Sequence, residues 1–413
     1  MSEFVFPSAT HTRFAHCVGV FHTARELIRV IEREISGIHE VYDQPRAEVA
    51  VIAALLHDLG HGPLSHTFEG VQRSRNVRKR HEQWSGEIVR NARGSIRPLL
   101  EDYRLGLADQ VATMLEKEDP DDIYHAVVSS SFDADRLDYL RRDRLMSGTQ
   151  AGAIDFDWLM EHVRVRRVSA EAADADEEGE ERPPEIPTFC LDRKALPAAE
   201  QFLLARYTLH EQVYFHKTTR CVEHMVAKLL KAVAEQADDT EVSSQVGLPA
   251  NHPLLQFFAS DGDTLENYLA LDDVVLWGAV EEMTRAQTPS IASVAERLRK
   301  RDLFKTLALE SVGFDAGAQR QKARLIDEHF KVKIETRMVC KDEGAKASIY
   351  TQIGGDEDRM HKKLHVLDGK KPREISELSK LVEALTTPKG FTRYYFESES
   401  DRETARNLKK GGR

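Results

Sequence analysis

The sequence predicts a mainly α-helical protein with a small β-hairpin insertion and a smaller C-terminal α+β lobe. Three observations predict it: helical spacing of apolar residues through the first 150 residues, two β-rich segments around an acidic stretch, and strand-like segments among the last hundred residues. A chain of 413 residues can bury a large core, enough for one extended domain or two ordinary ones. We expect a core over residues 1–312 and a lobe over residues 313–413.

The first part of the chain consists of helical patterns. "HTARELIRVIEREI" has apolar residues at helical spacing with charges between them, and the more uniformly apolar "AEVAVIAALLHD" predicts a helix that is buried on several sides. Gly60, Gly62 and Pro63 end that helix. The helical pattern continues in "HEQWSGEIVRNA" and "DIYHAVVSSSFDADRLDYLRRDRL".

Two segments of strand composition follow, "HVRVRRV" and "IPTFCLD". They flank an acidic stretch at about residues 169–186, which we interpret as the long solvated tip of a hairpin. Helices resume from "PAAEQFLLARYTLHEQVYFHK" and include "DTLENYLALDDVVLWGAV" and "SVAERLRKRDLFKTLAL". In the last hundred residues "VKIETRMVC", "ASIYTQI" and "FTRYYFES" favour strands.

The composition excludes several classes of protein. A hydrophobic content of 41% with 31% charged residues suits a soluble globular protein, and neither a membrane span nor a signal peptide is visible. The four cysteines lack CxxC spacing, which argues against a disulfide framework or a thiolate zinc site and fits the cytoplasm. A net charge of −11 gives no general reason to bind nucleic acid. We therefore expect a cytoplasmic protein without membrane or nucleic-acid partners.

One segment, "AALLHDLGHGPLSH" at residues 53–66, concentrates residues that bind metals. Neutral imidazole and carboxylate are ligands for divalent ions, but His57 and Asp58 are neighbours, so they can share an ion only near the end of their helix. Spacing alone leaves open whether this is a metal site or a solvated, capping pair. The further ligands would come from upstream or downstream, where the candidates are His11, His16, Asp133, Asp135, Asp138 and Asp143.

Several motifs in order resemble one family. "RFAHCVGV", "LLHDLGHGPLSHTFEG", "HEQWSGEIV" and "DADRLDYLRRD" are similar to the motifs of the HD-domain phosphohydrolases, and more narrowly of the deoxynucleoside triphosphate (dNTP) triphosphohydrolases related to the vertebrate sterile-alpha-motif and HD-domain protein. The resemblance continues through "RYTLHEQVYFHK" to "RDLFK", over about residues 4–310, and does not include a sterile-alpha-motif domain. It implies the helical HD fold and hydrolysis of dNTPs to deoxynucleoside and triphosphate.

The resemblance also implies the roles of the residues at the metal. A bound ion would activate the water that attacks the α-phosphorus; manganese, iron, zinc or nickel would suit the ligands, and magnesium would assist at the phosphates. The implied metal ligands are His16, His57, Asp58 and Asp135. The implied catalytic residues are His61, His66, His81 and Glu69. Among these His66 is favoured as the general acid, supported by His81 and Glu69, where the family usually has aspartate.

A second implied group would bind the substrate. The phosphates would contact Arg13, Arg136, Arg206 and Lys217. The sugar would lie against Tyr139 and Tyr214, with no room for a 2′-hydroxyl, while Asp143 would accept a hydrogen bond from the 3′-hydroxyl. His210 would lie near the phosphates or the base.

The resemblance extends to regulation and assembly. In "RKRDLFK", Arg301 and Lys305 would bind an activating nucleotide at a subunit interface, and a homo-oligomer from dimer to hexamer is implied, with a tetramer favoured. Relatives carry a segment before "VFPSATHTRFAH" that contacts the sugar and a regulatory site; here Met1 stands almost inside that motif, which leaves base selectivity and regulation open. The implied biological role is control of dNTP pools, including starvation of invading phage.

Two other functions stay open from the sequence. HD sites also serve phosphodiesterases and nucleases that act on cyclic nucleotides or nucleic acid, although a tyrosine and Asp143 cage around one sugar argues against a long polymer. A nucleotide sensor with little turnover is the other alternative. A complete set of candidate metal ligands with three further histidines argues against an inactive site.

Overall fold

The computed structural model describes residues 1–118, 122–150, 152–169, 185–311, 315–346, 363–386 and 389–409. These residues form a mainly helical protein with two small sheets, which confirms the predicted fold class. None of the helices in these ranges is long and apolar enough to cross a membrane.

The N-terminal helices form the first layer of the fold. Their ends follow local sequence signals: the Thr12 and Asp43 side chains accept hydrogen bonds from the first turns of the helices that they cap. The helices are α1 (Arg13–Glu34), α2 (Gln44–Leu56), α3 (His66–Ser74), α4 (His81–Arg90), α5 (Ile96–Tyr103), α6 (Leu107–Glu116), α7 (Ile123–Ala126), α8 (Ala134–Ser147) and α9 (Phe156–His162).

A second series of helices continues from the hairpin. It starts with α10 (Leu196–Leu209), which runs into one turn of π-helix (His210–Tyr214). The series continues with α11 (Lys217–Gln236), α12 (Val242–Val246), α13 (Pro253–Phe258), α14 (Leu265–Leu269), α15 (Asp273–Met283) and α16 (Pro289–Lys300). Short 3-10 helices lie at Ser2–Phe4, Ile35–Ile38, Arg193–Ala195 and Leu309–Ser311.

Two large apolar cores hold these helices. The first is built from α1, α2, α6, α8 and α10, whose buried side chains include Leu27, Ala50 and Leu137. The second surrounds α11 and takes Phe68 from α3 and Trp84 from α4, the indole of which stacks on the Tyr268 ring at 4.0 Å. Since α3 packs in the second core and α4 contributes Trp84 to the second core and Val89 to the first, the segment between α2 and α4 lies where the two cores meet.

The predicted hairpin is present and belongs to a larger sheet. Strands β1 (Val163–Ser169) and β2 (Glu185–Leu191) pair antiparallel, with Val163 opposite Leu191. Its acidic tip, about residues 169–186, lies almost entirely outside the described residues. The sheet gains two strands from the C-terminal region that were not predicted, because β5 (His365–Asp368) pairs parallel with β2 and β6 (Lys371–Glu374) pairs with β5.

A second sheet of three strands has the order β3-β7-β4. Its strands are β3 (Lys305–Ala308), β4 (Val339–Lys346) and β7 (Lys389–Phe396). Around it lie α17 (Ala316–His329), α18 (Lys331–Glu335) and α21 (Glu399–Asn407), whereas α19 (Ile375–Leu378) and α20 (Lys380–Thr386) pack against the first core. Each sheet contains strands from before residue 312 and strands from after it, so hydrogen bonds link the C-terminal lobe to the preceding part of the chain. The domain boundary at residue 312 stays a prediction.

Three local predictions were wrong. "SVAERLRKRDLFKTLAL" is not one helix: α16 ends where Arg301 adopts a left-handed φ of 55°, and the end of the segment is strand β3. The helical segment before α8 breaks because the Asp133 carboxylate accepts the Arg136 amide and begins a new helix. "VKIETRMVC" starts as α18 and becomes strand only at Val339. "ASIYTQI" lies outside the described residues.

The loop after α2 generates a prediction about packing. A methyl group at Gly60 would overlap the His81 carbonyl oxygen and the Ser85 amide nitrogen, both backbone atoms of α4 that cannot move alone. We expect Gly60→Ala to lower the free energy of unfolding by about 3 kcal/mol. Gly70 in α3 has free space at the same position, so Gly70→Ala should raise it by up to about 1 kcal/mol. Urea denaturation of both variants measures the two changes in the free energy of unfolding. Equal changes in the two variants would contradict the predicted overlap at Gly60.

Candidate metal centre and substrate pocket

The loop that follows α2 carries the candidate metal ligands. His57 lies at the C-terminal end of α2 and Asp58 follows it. Ser85 of α4 holds this loop, since its hydroxyl donates to the His57 carbonyl at 3.0 Å and accepts the Gly60 amide at 2.8 Å. Further along, Leu64 and Ser65 have φ values of 55° and 54°, a costly backbone conformation for residues other than glycine that is commonest at functional sites.

Side chains from three helices converge at this point. The Asp135 Oδ1 atom lies 3.0 Å from His16 Nε2 and 3.8 Å from His57 Nε2. Asp58 Oδ1 lies 3.3 Å from His57 Nε2, and Asp58 Oδ2 lies 3.9 Å from His16 Nε2. One ligand atom from each of His16, His57 and Asp58 falls within 4.8 Å of the others. The structure thus brings together all four residues proposed as metal ligands.

Hydrogen bonds behind the two histidines orient them. His57 Nδ1 donates to the Ala54 carbonyl at 2.9 Å, and its Nε2 atom is buried with no hydrogen-bond partner in the described ranges. His16 Nδ1 lies 2.8 Å from the Asp138 carboxylate, which also accepts two hydrogen bonds from Arg142 at 2.8 and 3.0 Å. This carboxylate–histidine arrangement is the usual outer shell of a metal ligand. Asp138, a sequence candidate for a ligand, therefore lies behind His16.

The electrostatics of the centre favour a cation. Burial disfavours the charged form of His16, but hydrogen bonds to Asp135 and Asp138 raise its pKa to about 10. Although burial opposes it, the hydrogen bond from His16 and the nearby His57 ring hold the pKa of Asp135 below its usual range. Two imidazoles and two carboxylates, with an orphaned ring nitrogen aimed between them, fit a divalent transition metal. Such an ion would sit between His16, His57, Asp58 and Asp135.

A second group of histidines adjoins the first. His61 Nε2 lies 3.3 Å from Asp58 Oδ1, and the His61 ring stacks on the His81 ring with centroids 3.9 Å apart. Glu69 joins the group at 2.7 Å from His81 Nδ1 and 3.3 Å from His66 Nδ1. Burial lowers the pKa of His61 to about 4, so this ring is neutral. The side chain of His66 is 77% exposed, and its hydrogen bond to Glu69 raises its pKa, which favours the protonated form.

The four candidate phosphate contacts differ in what they touch. Arg13 bonds to Asp58 and Ser65, and Arg136 bonds to the buried Asp133. Arg206 is 6% exposed, and no ion pair forms to its guanidinium within the described part of the chain. Burial lowers its pKa. Lys217 is exposed at the start of α11. The buried, unpaired Arg206 is the member of this group most in need of an anion.

The candidate sugar contacts lie together. Asp135, Tyr139 and Asp143 share one face of α8, and the Tyr214 hydroxyl donates to Asp143. The Tyr139 and Tyr214 rings meet edge to face at 6.2 Å. The other oxygen of Asp143 lies 2.9 Å from His11 Nε2, so His11, a sequence candidate for a metal ligand, lies at the carboxylate of the sugar group instead.

A π-helical turn carries part of this group of candidate sugar contacts. It spans His210–Tyr214 and places the His210 ring 4.8 Å from the Tyr214 ring. His210 Nδ1 donates to the Arg206 carbonyl at 2.7 Å, and burial lowers its pKa to about 3, so it is neutral. Such turns are rare and often mark functional sites. Nothing in the sequence pattern of α10 had indicated the turn.

The two proposed regulatory residues each have a partner within the chain. Arg301 donates to the Phe4 carbonyl at 2.6 Å, and Lys305 pairs with Asp302 at 3.0 Å. Their role toward a nucleotide stays a prediction.

Fold and site together define a class: a helical phosphohydrolase with a histidine–aspartate metal centre. Sequence profiles agree, because the profile of the HD domain matches residues 13–143 and that of the HD associated region matches residues 187–247 and 250–391. The chain belongs to the HD-domain family, whose members are metal-dependent phosphohydrolases.

Several relatives extend this similarity. The chain is 26% identical over 396 residues to the uncharacterized protein YwfO of Bacillus subtilis, covering 92% of this chain and 79% of YwfO. It is 27% identical to the deoxynucleoside triphosphate triphosphohydrolase SAMHD1 homolog of Dictyostelium discoideum and 26% identical to human SAMHD1, over 74% and 73% of this chain. It spans only about half of those two proteins, 52% and 48%.

Solved structures share the fold. A phosphohydrolase from Bacteroides thetaiotaomicron superposes with a TM-score of 0.69 at 23% identity, over 96% of this chain and 90% of the other. A hypothetical protein from Aquifex aeolicus gives a TM-score of 0.68 at 25% identity, over 99% and 89%. The whole described architecture, including the C-terminal lobe, therefore recurs in other proteins.

The geometry predicts the effect of removing two ligands. His57→Ala with Asp58→Ala should abolish binding of one metal ion per chain and leave helical content intact, because both side chains lie at the end of α2 rather than in its core contacts. His22→Ala, an exposed histidine of α1, should keep the metal. Elemental analysis and circular dichroism measure both properties. Full metal content in the double variant would remove these residues from the site.

Proposed function

We propose that the protein hydrolyses dNTPs to deoxynucleoside and inorganic triphosphate, and so controls dNTP pools, with phage defence as one setting for that activity. The observation that carries this proposal is the placement of the sugar group: Tyr139 and Asp143 follow the metal ligand Asp135 on one face of α8, with Tyr214 against Asp143. A pocket for one sugar next to a metal centre suits a mononucleotide. Similarity to the SAMHD1 proteins supports the same assignment.

The residues near the metal have separate tasks in this reaction. A bound divalent ion would supply hydroxide near neutral pH and neutralise charge on a phosphoryl oxygen. The leaving 5′-oxygen needs a proton, which His66 can donate because its hydrogen bond to Glu69 favours the protonated ring. His81 holds the other oxygen of Glu69 and fixes that carboxylate. His61, neutral and buried, accepts or donates hydrogen bonds without adding charge.

Binding of the triphosphate requires local positive charge in an acidic protein. Arg206 is already desolvated and unpaired among the described residues, so an arriving phosphate gains an ion pair at little extra desolvation of the protein. Arg136 lies close to it on α8, with an Nε atom that is buried and has no hydrogen-bond partner in the described structure. Arg13 and Lys217 would complete the phosphate contacts.

Product analysis tests the proposal. The protein would be incubated with each dNTP and manganese, alone and in mixtures, with an EDTA control, and the products separated by ion-exchange chromatography. Deoxynucleoside with intact triphosphate, abolished by EDTA, is the expected result. Activity only in mixtures would support an activating nucleotide, for which we propose Arg301 and Lys305 in a homo-oligomer. Monophosphate with pyrophosphate, or cleavage of cyclic nucleotides alone, would contradict the proposal.

The acid role of His66 predicts a pH dependence. Glu69 raises the pKa of His66, so the protonated acid persists to higher pH than for a free imidazole, and activity falls as pH rises through that pKa. Glu69→Gln removes the charge, lowers the pKa of His66, and should shift the alkaline limb of the kcat/KM profile to lower pH. Glu87→Gln, a matched change on α4 whose carboxylate pairs with Lys79, should leave the limb in place. An unmoved limb in Glu69→Gln would exclude His66 as the acid.

Tyr214 should govern selection of the sugar. A ring packed against C2′ leaves no space for a 2′-hydroxyl, so Tyr214→Ala should raise kcat/KM for ribonucleotides relative to dNTPs by about tenfold, the size of effect expected when one steric contact is lost. Tyr214→Phe keeps the ring and loses only the hydrogen bond to Asp143, so it should retain most of the selectivity. An unchanged ratio in Tyr214→Ala would remove this residue from the pocket.

A further inference from the structure

An arginine of the three-stranded sheet of β3, β4 and β7, which we call the C-terminal sheet, bonds to the backbone beside the proposed sugar contact. Arg393 lies in the middle of β7, opposite Ala308 of β3 and Asp342 of β4, and is 8% exposed. Its Nη1 atom donates to the carbonyl of Phe215 at 2.5 Å. Phe215 is the residue that directly follows Tyr214 at the end of the π-helical turn. A side chain more than 170 residues away in sequence thus binds the backbone beside the sugar contact.

This hydrogen bond meets a specific need of the turn. The last carbonyls of any helix lack intrahelical partners and must be satisfied from outside. The Phe215 amide already bonds to the His210 carbonyl at 2.7 Å, which closes the turn, and the Phe215 carbonyl points out of it toward the sheet. Arg393 therefore fixes the direction in which the chain leaves the turn.

Other contacts of the sheet act on the same connector. The Phe391 ring of β7 packs against the Phe215 ring at 5.7 Å, and the Arg393 guanidinium lies over Phe391 at 4.7 Å. On the far side, Arg220 in the first turn of α11 donates to both oxygens of Asp342 on β4, at 3.1 and 2.8 Å. The sheet thus holds residues 215–220 at both ends.

The turn is tied to the pocket at its other side. The Tyr214 hydroxyl donates to Asp143 of α8, and the Tyr139 ring lies against Tyr214. A shift of the Phe215 backbone would move Tyr214 directly, because the two residues share a peptide unit, and displacements of about 1 Å in a positioned group cost up to about a hundredfold in rate.

We propose that Arg393 is a positioning residue for sugar selection: it holds the His210–Tyr214 turn so that Tyr214 closes the pocket. The claim that Arg393 affects sugar selection rests on the proposed function, whereas the claim that Arg393 holds the turn does not. The C-terminal lobe then contributes to the selection of deoxyribose over ribose without contacting the sugar itself.

The test compares three variants of the full-length protein. Arg393→Met removes the donor and the charge, and Arg393→Lys keeps a charge and one donor group. As a control from the same sheet, Lys341→Met removes ion pairs to Asp327 and Glu343. Glu310 lies 3.8 Å from Arg393, so Arg393→Met with Glu310→Gln removes both charges if the single variant does not fold. Hydrogen–deuterium exchange of residues 210–217 and the dNTP-to-NTP ratio of kcat/KM are the readouts.

We expect Arg393→Met to speed exchange in residues 210–217 about tenfold and to lower the dNTP-to-NTP ratio by about tenfold, with metal content unchanged. Arg393→Lys should give an exchange rate and a dNTP-to-NTP ratio between those of Arg393→Met and the unchanged protein. Lys341→Met should match the unchanged protein in both readouts. Unaltered exchange in Arg393→Met would overturn the positioning role. Faster exchange with equal loss of rate on dNTPs and NTPs would overturn the selectivity role. Absence of dNTP hydrolysis in the unchanged protein would refute the proposed function, and the exchange result would still decide the positioning role.

Discussion

The convergence of Asp58 and Asp135 is the constraint on which the rest of the site depends. Two carboxylates that lie close together and partly out of water must be neutralised, and the structure surrounds them with imidazoles. Burial opposes the charged form of Asp58, yet His57, His61 and Arg13 hold its pKa well below the usual range. Because the ligands come from α1, α2 and α8, the spacing of the centre is set by packing in the first apolar core.

The first core, the second core and the C-terminal sheet each hold different residues of the site. The first core supplies the metal ligands and the sugar contacts of α8, and the second core anchors α3, which carries the proposed acid group. The C-terminal sheet contacts the connector after Tyr214. A mononucleotide bound at this junction would touch side chains held by all three units. The metal ligands and the sugar contacts therefore belong to one unit, whereas the proposed acid group is held by another.

The sequence predicts the parts that depend on local pattern or on motif. Helical periodicity predicts most of the N-terminal helices, strand composition predicts β1 and β2, and the ordered motifs predict the residues that meet at His57. Local pattern could not predict what depends on distant partners: β3 is a strand because it pairs with β7, and the hairpin gains β5 from 174 residues or more downstream. The placements of His11 and Arg393 likewise follow from long-range contacts, which produce no periodic pattern in the sequence.

Diffraction from a crystal soaked with manganese, recorded at a wavelength where that ion scatters anomalously, tests where the metal binds. We expect one anomalous peak within about 2.0–2.3 Å of ligand atoms of His16, His57, Asp58 and Asp135. His61, Glu69 and His81, which lie close enough together to hold an ion themselves, should remain unliganded. A peak at that second group with none at the first, or no bound manganese at either, would contradict the central claim that the histidine–aspartate centre holds the metal.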